Sequence, residues 1–283
     1  MTEPVLSPQK PEDPEWLQET LHKRVVYATP GMDQVRVEKD LTYKRAPERE
    51  LKADVYMPPT PSGNARHPGV VFVHGGYLPP NLRTEPKDWG IFVSYGQLVA
   101  SSGFIGIPFN HRYYGPEYLE TAQSDIRDLL SYIREHAGRF GLDRDRISLW
   151  AFSGGGPLVS WALREAPPYI HALVLYYTML DTNPRPQSTP AAIADETLAE
   201  FSAVTQVENS DGEIFPIFLA RAGLDRPALN ETIDRFVQVA LSKNVPLDVS
   251  NHARGHHGFD LLDDDTKSRQ IIQRTIDFLK ALG

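Results

Sequence analysis

Four short segments carry the residue types that nucleophilic catalysis at a carbonyl requires. The first is Ala151-Phe152-Ser153-Gly154-Gly155-Gly156. A serine on a sharp strand-to-helix turn is forced out toward solvent, and small neighbours let strand and helix approach closely; the usual pattern is G-x-S-x-G. Here Ala151 stands in place of the first glycine and Gly155 keeps the second. Alone, a serine among glycines is equally well a turn or a helix cap. The apolar run before it and the helical run Pro157–Leu163 after it favour a nucleophile. The second segment is His256-His257-Gly258-Phe259-Asp260. Histidine is the best general base near neutral pH, and His257 is the preferred candidate, with His256 a packing or solvent-facing neighbour. The third, Arg221-Ala222-Gly223-Leu224-Asp225, ends in a carboxylate that can fix the tautomer of a base and stabilise its imidazolium. Asp181 is the rival acid. The fourth, His74-Gly75-Gly76-Tyr77, brings backbone N–H groups close to a bound oxyanion. The donors are read as Gly154 N–H and one from Gly76 or Tyr77, with His74 structural.

These groups are useful only if the chain folds them together, and the hydrophobic pattern says how. Val35–Tyr43 and Leu51–Met57 alternate with period two and read as an antiparallel opening pair. Gly69–Val73, Ile105–Pro108, Ile147–Ala151, Ala172–Tyr176 and Ile217–Ala220 are short continuous apolar runs, as expected of strands buried on both faces. Pro246–Val249 suggests a last strand. Between them lie helical stripes: Ile126, Leu129, Leu130, Ile133, Ala137 and Phe140; then Leu229, Ile233, Phe236, Val237, Ala240 and Leu241; then Ile271, Ile272, Thr275, Ile276 and Leu279. Strands alternating with helices imply an α/β fold with a mainly parallel, doubly wound sheet. In such sheets ligands bind beyond the carboxyl ends of the strands. Each of the four segments follows one.

Residues 1–34 read as an N-terminal arm, irregular over 7–14 and then a short helix around Trp16, Leu17 and Leu21 that packs on the body. Residues 35–283 form one catalytic domain, with a candidate lid insertion at 181–216. The chain has no cysteine, so thiolate nucleophiles, thiolate metal sites and disulfides are excluded. Its net charge of −8 opposes binding to nucleic acid. No run approaches the roughly 20 apolar residues of a membrane span, and no signal-like start is seen, so the cytoplasm is the expected location. His252, His256 and His257 lack a metal-site spacing; neither a metal nor an organic cofactor is expected.

The order Ser153, Asp225, His257 is that of α/β-hydrolases and differs from both protease orders. The segments Phe72–Gly76, Lys87-Asp88-Trp89-Gly90, Leu149–Gly155, Ala220–Asp225 with Leu229-Asn230, and His257–Asp260 with Ser268-Arg269 resemble the small bacterial α/β-hydrolases related to dienelactone hydrolases and acetyl esterases. The resemblance covers roughly residues 35–283. It implies the α/β-hydrolase fold, a Ser-His-Asp triad and hydrolysis of a small-molecule ester. Dienelactone hydrolases use a cysteine, absent here, so that activity does not carry over. Trp89, Phe152 and Tyr177, near predicted strand ends, are candidate substrate contacts for short, medium or acetyl esters. A homodimer is left open. Two other readings stand beside this one: a serine aminopeptidase of prolyl-peptidase type, and a non-catalytic binder on the same fold.

Overall fold

The computed structural model describes residues 13–60, 66–183, 185, 190–210 and 212–283, with only the backbone at Trp16. Eight strands form one sheet: β1 (Arg36–Ala46), β2 (Arg49–Met57), β3 (His67–Val73), β4 (Ile105–Pro108), β5 (Leu142–Phe152), β6 (Ile170–Tyr176), β7 (Ile217–Ala222) and β8 (Leu247–His252). Their order is β1-β2-β4-β3-β5-β6-β7-β8. β1 and β2 are antiparallel to each other, and β2 is antiparallel to β4. All other pairs are parallel. The expected antiparallel opening pair and parallel body are both present.

Period-two alternation splits the strand side chains between two cores. Val71, Val73, Leu149, Ala151, Leu173, Leu175, Ile217 and Leu219 enter one. Val70, Phe72, Trp150, Phe152, Val174, Tyr176, Phe218 and Ala220 enter the other. With both faces buried, polar residues are excluded from the strand centres, which is why the runs read as continuous.

The first core lies under the helices Leu119–Glu135 and Pro227–Ser242, and the second under Gly90–Ser101 and Thr266–Ala281. Three of these match the stripes read from sequence, with two differences. The first stripe breaks at His136, and Ala137–Phe140 is a separate short helix. Leu241 of the second stripe faces outward, 59% exposed. The helix Gly90–Ser101 went unread because eight of its twelve residues are buried, which leaves no amphipathic stripe to see. β5 starts five residues earlier than its apolar run, since Leu142-Asp143-Arg144-Asp145-Arg146 reads as polar.

Of the arm at 7–14, residues 7–12 lie outside the described residues. The short helix Glu15–Gln18 follows, and Leu17 and Leu21 pack with Leu78, Leu82 and Trp89. The Asp13 carboxylate accepts the N–H groups of Arg83 and Thr84 at 2.6 and 3.1 Å. Within the stretch 181–216, residues 184, 186–189 and 211 are outside the described residues. Its helices Asp195–Glu200 and Ala203–Glu208 bury Leu198, Val204 and Val207 in the first core. The Val204 N–H donates to Leu180 O at 3.0 Å, which ties the second of them to the end of the β6 segment.

Candidate active site

β5 lies in the middle of the sheet and ends in Phe152, so whatever follows it stands at the centre of the carboxyl edge. Ser153 follows, with φ of +53°. A non-glycine residue in the left-handed region costs roughly 1–2 kcal/mol, and this strain is what turns its side chain out of the sheet. The elbow is held from β6 by Met179 N–H, which donates to Ser153 O at 3.0 Å. It is held from β3 by a close approach: a Cβ on Gly75 would lie 2.4 Å from Phe152 O and 2.5 Å from Gly154 N. A Cβ on Gly155 would lie 2.7 Å from Val73 O. Only glycine at both places lets the loop after β3 lie against the elbow.

That loop presents the backbone nitrogen of Gly76, 3.0 Å from where a Gly154 Cβ would stand. Of the two donors left open by sequence, the Gly76 amide is thus the one packed against the elbow. Tyr77 is 47% exposed and sets its ring edge-on to Tyr113, with centroids 5.0 Å apart.

The acid and base arrive from β7 and β8. After β7 the chain turns through Gly223-Leu224, the Leu224 N–H donating to Gly255 O at 2.9 Å, and so the two loops are tied together. Asp225 Oδ1 accepts Arg226 N–H at 2.7 Å. Its Oδ2 accepts from His257 Nδ1 at 2.5 Å, and Ser153 Oγ donates to His257 Nε2 at 2.8 Å. Three residues up to 104 positions apart thereby form one chain of hydrogen bonds. The Asp225 side chain is 1% exposed and His257 is 35% exposed, so the carboxylate is sheltered while the imidazole reaches the cleft. Burial pushes the Asp225 carboxyl upward, but the hydrogen bond and charge of His257 and the Arg226 contacts outweigh it and hold it below the usual range. It is a carboxylate at neutral pH.

The rival residues have other partners. Asp181 is buried, accepting from Ser202 Oγ and Arg235 Nη1, both at 2.8 Å. His256 is exposed and pairs with Asp263 at 2.9 Å. His252 is buried beside Ser268 Oγ at 3.1 Å. No group of three or more His, Asp or Glu residues suited to a metal ion occurs among the described residues.

His74 is buried at the foot of the Gly75-Gly76 loop and stacks on His111 with centroids 3.6 Å apart and planes 9° from parallel. Burial lowers its pKa from 6.5 to about 4, and His111 is pushed down in the same direction. Between pH 6.5 and 4 the unfolded chain binds a proton that folded His74 refuses. His74 therefore makes stability fall on acidification across that window, by about 3 kcal/mol at its lower end, and has no effect above it. Urea midpoints measured from pH 7 to 4.5 should drop accordingly, and the variant His74→Asn should lose part of that slope.

The three expected substrate contacts all have packing partners within the protein. Phe152 is 5% exposed and packs among Phe92, Tyr95, Trp150 and Tyr176. Tyr177 is 6% exposed and donates its hydroxyl to Asp260 at 2.7 Å. Trp89 is half-buried, packs on Phe92 and donates Nε1–H to Thr84 O at 3.0 Å. Core packing takes the Phe152 and Tyr177 rings, because a strand end contributes side chains to the buried faces as readily as to the cleft, while Trp89 stays partly exposed. What the sequence reading missed is a role for Asp260, quoted beside His257 without one, and the helix that carries Tyr95 to it.

A doubly wound sheet with a strained serine elbow, a carboxylate-backed histidine and the Gly76 nitrogen packed against the elbow is the arrangement of a serine hydrolase of the α/β-hydrolase class. Comparison with known proteins agrees. The family described as BD-FAE matches residues 53–167. The esterase LipI of Mycobacterium tuberculosis is 25% identical, the match covering 75% of this chain and 72% of that protein. The para-nitrobenzyl esterase of Bacillus subtilis is also 25% identical, over 84% of this chain but 54% of that one. The thermophilic esterase Est2 of Thermogutta terrifontis shares the fold with a TM-score of 0.71, at 17% identity, over 90% of this chain and 94% of that one. The chain has the fold of these α/β-hydrolases and is similar to esterases. Among the described residues no helix is long and apolar enough to cross a membrane.

Proposed function

We propose that the protein is a serine carboxylesterase that cleaves short- to medium-chain or acetyl esters by way of an acyl-enzyme. The observation that carries this reading is the unbroken line Ser153 Oγ–His257–Asp225, with distances of 2.8 and 2.5 Å, beside the amides of Gly154 and Gly76. His257 Nε2 takes the Ser153 proton as Oγ bonds to the ester carbonyl carbon. The carbonyl oxygen becomes an oxyanion held by the Gly154 and Gly76 N–H groups, each worth a few kcal/mol in the transition state. The carbon–oxygen bond to the alcohol breaks, and the alcohol leaves with the proton from Nε2. Water then loses a proton to Nε2, attacks the acyl carbon and frees the carboxylic acid, returning the proton to Ser153.

Two observations support a small acyl group. The Tyr113 ring stands beside the elbow, its Cε1 3.5 Å from a Gly154 Cβ position, with the Tyr77 ring set edge-on against it. Est2, which shares the fold, is described in butyrate-bound and propionate-bound forms. A series of p-nitrophenyl esters tests the reading. We expect kcat/KM to be highest for acyl chains of about two to eight carbons and to fall about tenfold or more by palmitate, where each extra methylene lacks a surface to bury on. A maximum at the longest chains would overturn the chain-length reading, and cleavage of aminoacyl arylamides in preference to esters would overturn the esterase.

A further inference from the structure

Three residues after His257 lies a carboxylate with no part in the steps above. Asp260 is 0% exposed. Its Oδ1 accepts the Tyr177 hydroxyl at 2.7 Å and its Oδ2 the Tyr95 hydroxyl at 2.6 Å. A buried carboxylate away from such donors is costly, and both of its oxygens are met here by phenols that are themselves buried. The three residues come from three places: the helix Gly90–Ser101, the segment after β6, and the short helix Phe259–Leu262 that follows the His257 loop.

The Tyr177 ring sits against the imidazole, with centroids 4.8 Å apart. Its backbone has φ of +39°, a left-handed conformation that is unfavourable for a bulky residue and is kept only where surroundings enforce it. Two contacts do so: the hydroxyl bond to Asp260, and the Tyr177 N–H donating to Ala220 O at 2.8 Å. Two residues further on, Met179 N–H holds Ser153 O. One strained segment thus touches the base through a ring and the nucleophile through the backbone. The His257 loop is anchored from the other side, where Asp260 O accepts Val26 N–H at 2.8 Å and Gly258, at φ +79°, makes the turn between base and anchor.

We infer that Asp260, held between Tyr177 and Tyr95, is a positioning residue for His257, setting the imidazole in register with Ser153 through the Tyr177 ring. This rests on the esterase reading of the site. Asp225 fixes which nitrogen carries the proton; the Asp260 group fixes where the ring stands along the line to Ser153.

The test is a double-mutant cycle of Asp260→Asn and Tyr177→Phe, with Tyr95→Phe as a third variant, on the full chain. Tyr177→Phe keeps the ring and loses only the bond. We expect kcat on p-nitrophenyl butyrate to fall about tenfold in Asp260→Asn and in Tyr177→Phe, as small misplacements of reacting groups do. KM should stay within about twofold and the double variant should be no worse than either single one, as members of one unit behave. The rate at which a fluorophosphonate labels Ser153 should fall in parallel. In proton NMR the low-field resonance of His257 Nδ1–H should shift or broaden in both variants. That readout needs no turnover, so it separates this inference from the esterase reading. An unaltered resonance, or an unchanged kcat in variants with a lowered melting temperature, would make the network structural only and overturn the inference. If Asp260→Asn does not fold, Tyr177→Phe and Tyr95→Phe decide the matter. A wild-type protein that turned over no ester would strike the function proposed above instead.

Discussion

Replacing Ser153 with alanine is expected to lower kcat on p-nitrophenyl butyrate by about 10⁵- to 10⁶-fold and to abolish labelling by a fluorophosphonate. The size follows from loss of the only group that forms a bond to carbon, since single removal of a triad serine elsewhere costs about as much as removing the whole triad. Catalysis should not vanish, because the Gly154 and Gly76 amides remain to stabilise an oxyanion formed by water, and such residual catalysis is about 10³–10⁴ over the uncatalysed reaction. The fold should persist. Among the described residues Ser153 Oγ bonds to His257 alone, and the elbow itself is held by Met179 N–H and the glycine packing of the loop after β3. Alanine bears the same left-handed strain as serine, so the melting temperature should move by only a few degrees. Circular dichroism unchanged with turnover lost is the expected pair of results. Turnover within about tenfold of wild type would remove Ser153 from the mechanism.

The second large effect is Asp225→Asn, expected to lower kcat about 10⁴-fold with little change in KM. Asparagine fits the same space and can keep Arg226 N–H on its carbonyl oxygen, as Oδ1 does now at 2.7 Å. Its amide nitrogen then faces His257 Nδ1. An N–H facing that ring nitrogen makes Nδ1 the acceptor and moves the proton to Nε2, the nitrogen that must receive from Ser153. The geometry survives and the tautomer is wrong. Because Asp225 is held below the usual carboxylate range, it is charged through the neutral region, and the variant also loses a negative charge opposite the imidazolium. The comparison variant is Asp181→Asn. Its carboxylate is bound to Ser202 and Arg235, so that substitution should lower stability and leave kcat nearly as it was. A loss in Asp181→Asn larger than in Asp225→Asn would exchange their roles.

These assignments show where reading along the chain reaches and where it stops. Every strand of the sheet overlaps a run visible in the sequence; for β3 to β7 this is because a strand buried on both faces needs apolar residues at successive positions, a local property. The helix Gly90–Ser101 is the contrasting case. Buried on most of its faces, it has no stripe, and the bond that Tyr95 makes from it to Asp260 could not be read. Phe152 and Tyr177 were read toward the cleft because they lie at strand ends. Their direction depends on which core their faces meet, and no run of neighbours records that.

By itself the sequence determined the chemical inventory, the order Ser153, Asp225, His257, the alternation of strands and helices, and the placing of each reactive group just past a strand. All of these depend on residue type and near neighbours. Only the tertiary structure brings His257 rather than His256, and Asp225 rather than Asp181, into a hydrogen-bonded line with Ser153, and packs the Gly76 amide against the elbow. It alone joined Asp260 to two tyrosines, one of which packs on the base. Those choices turn on distances of a few ångströms between residues up to 165 positions apart, set by strand order and the packing of two cores. A contact of that kind has no counterpart in any short stretch of chain.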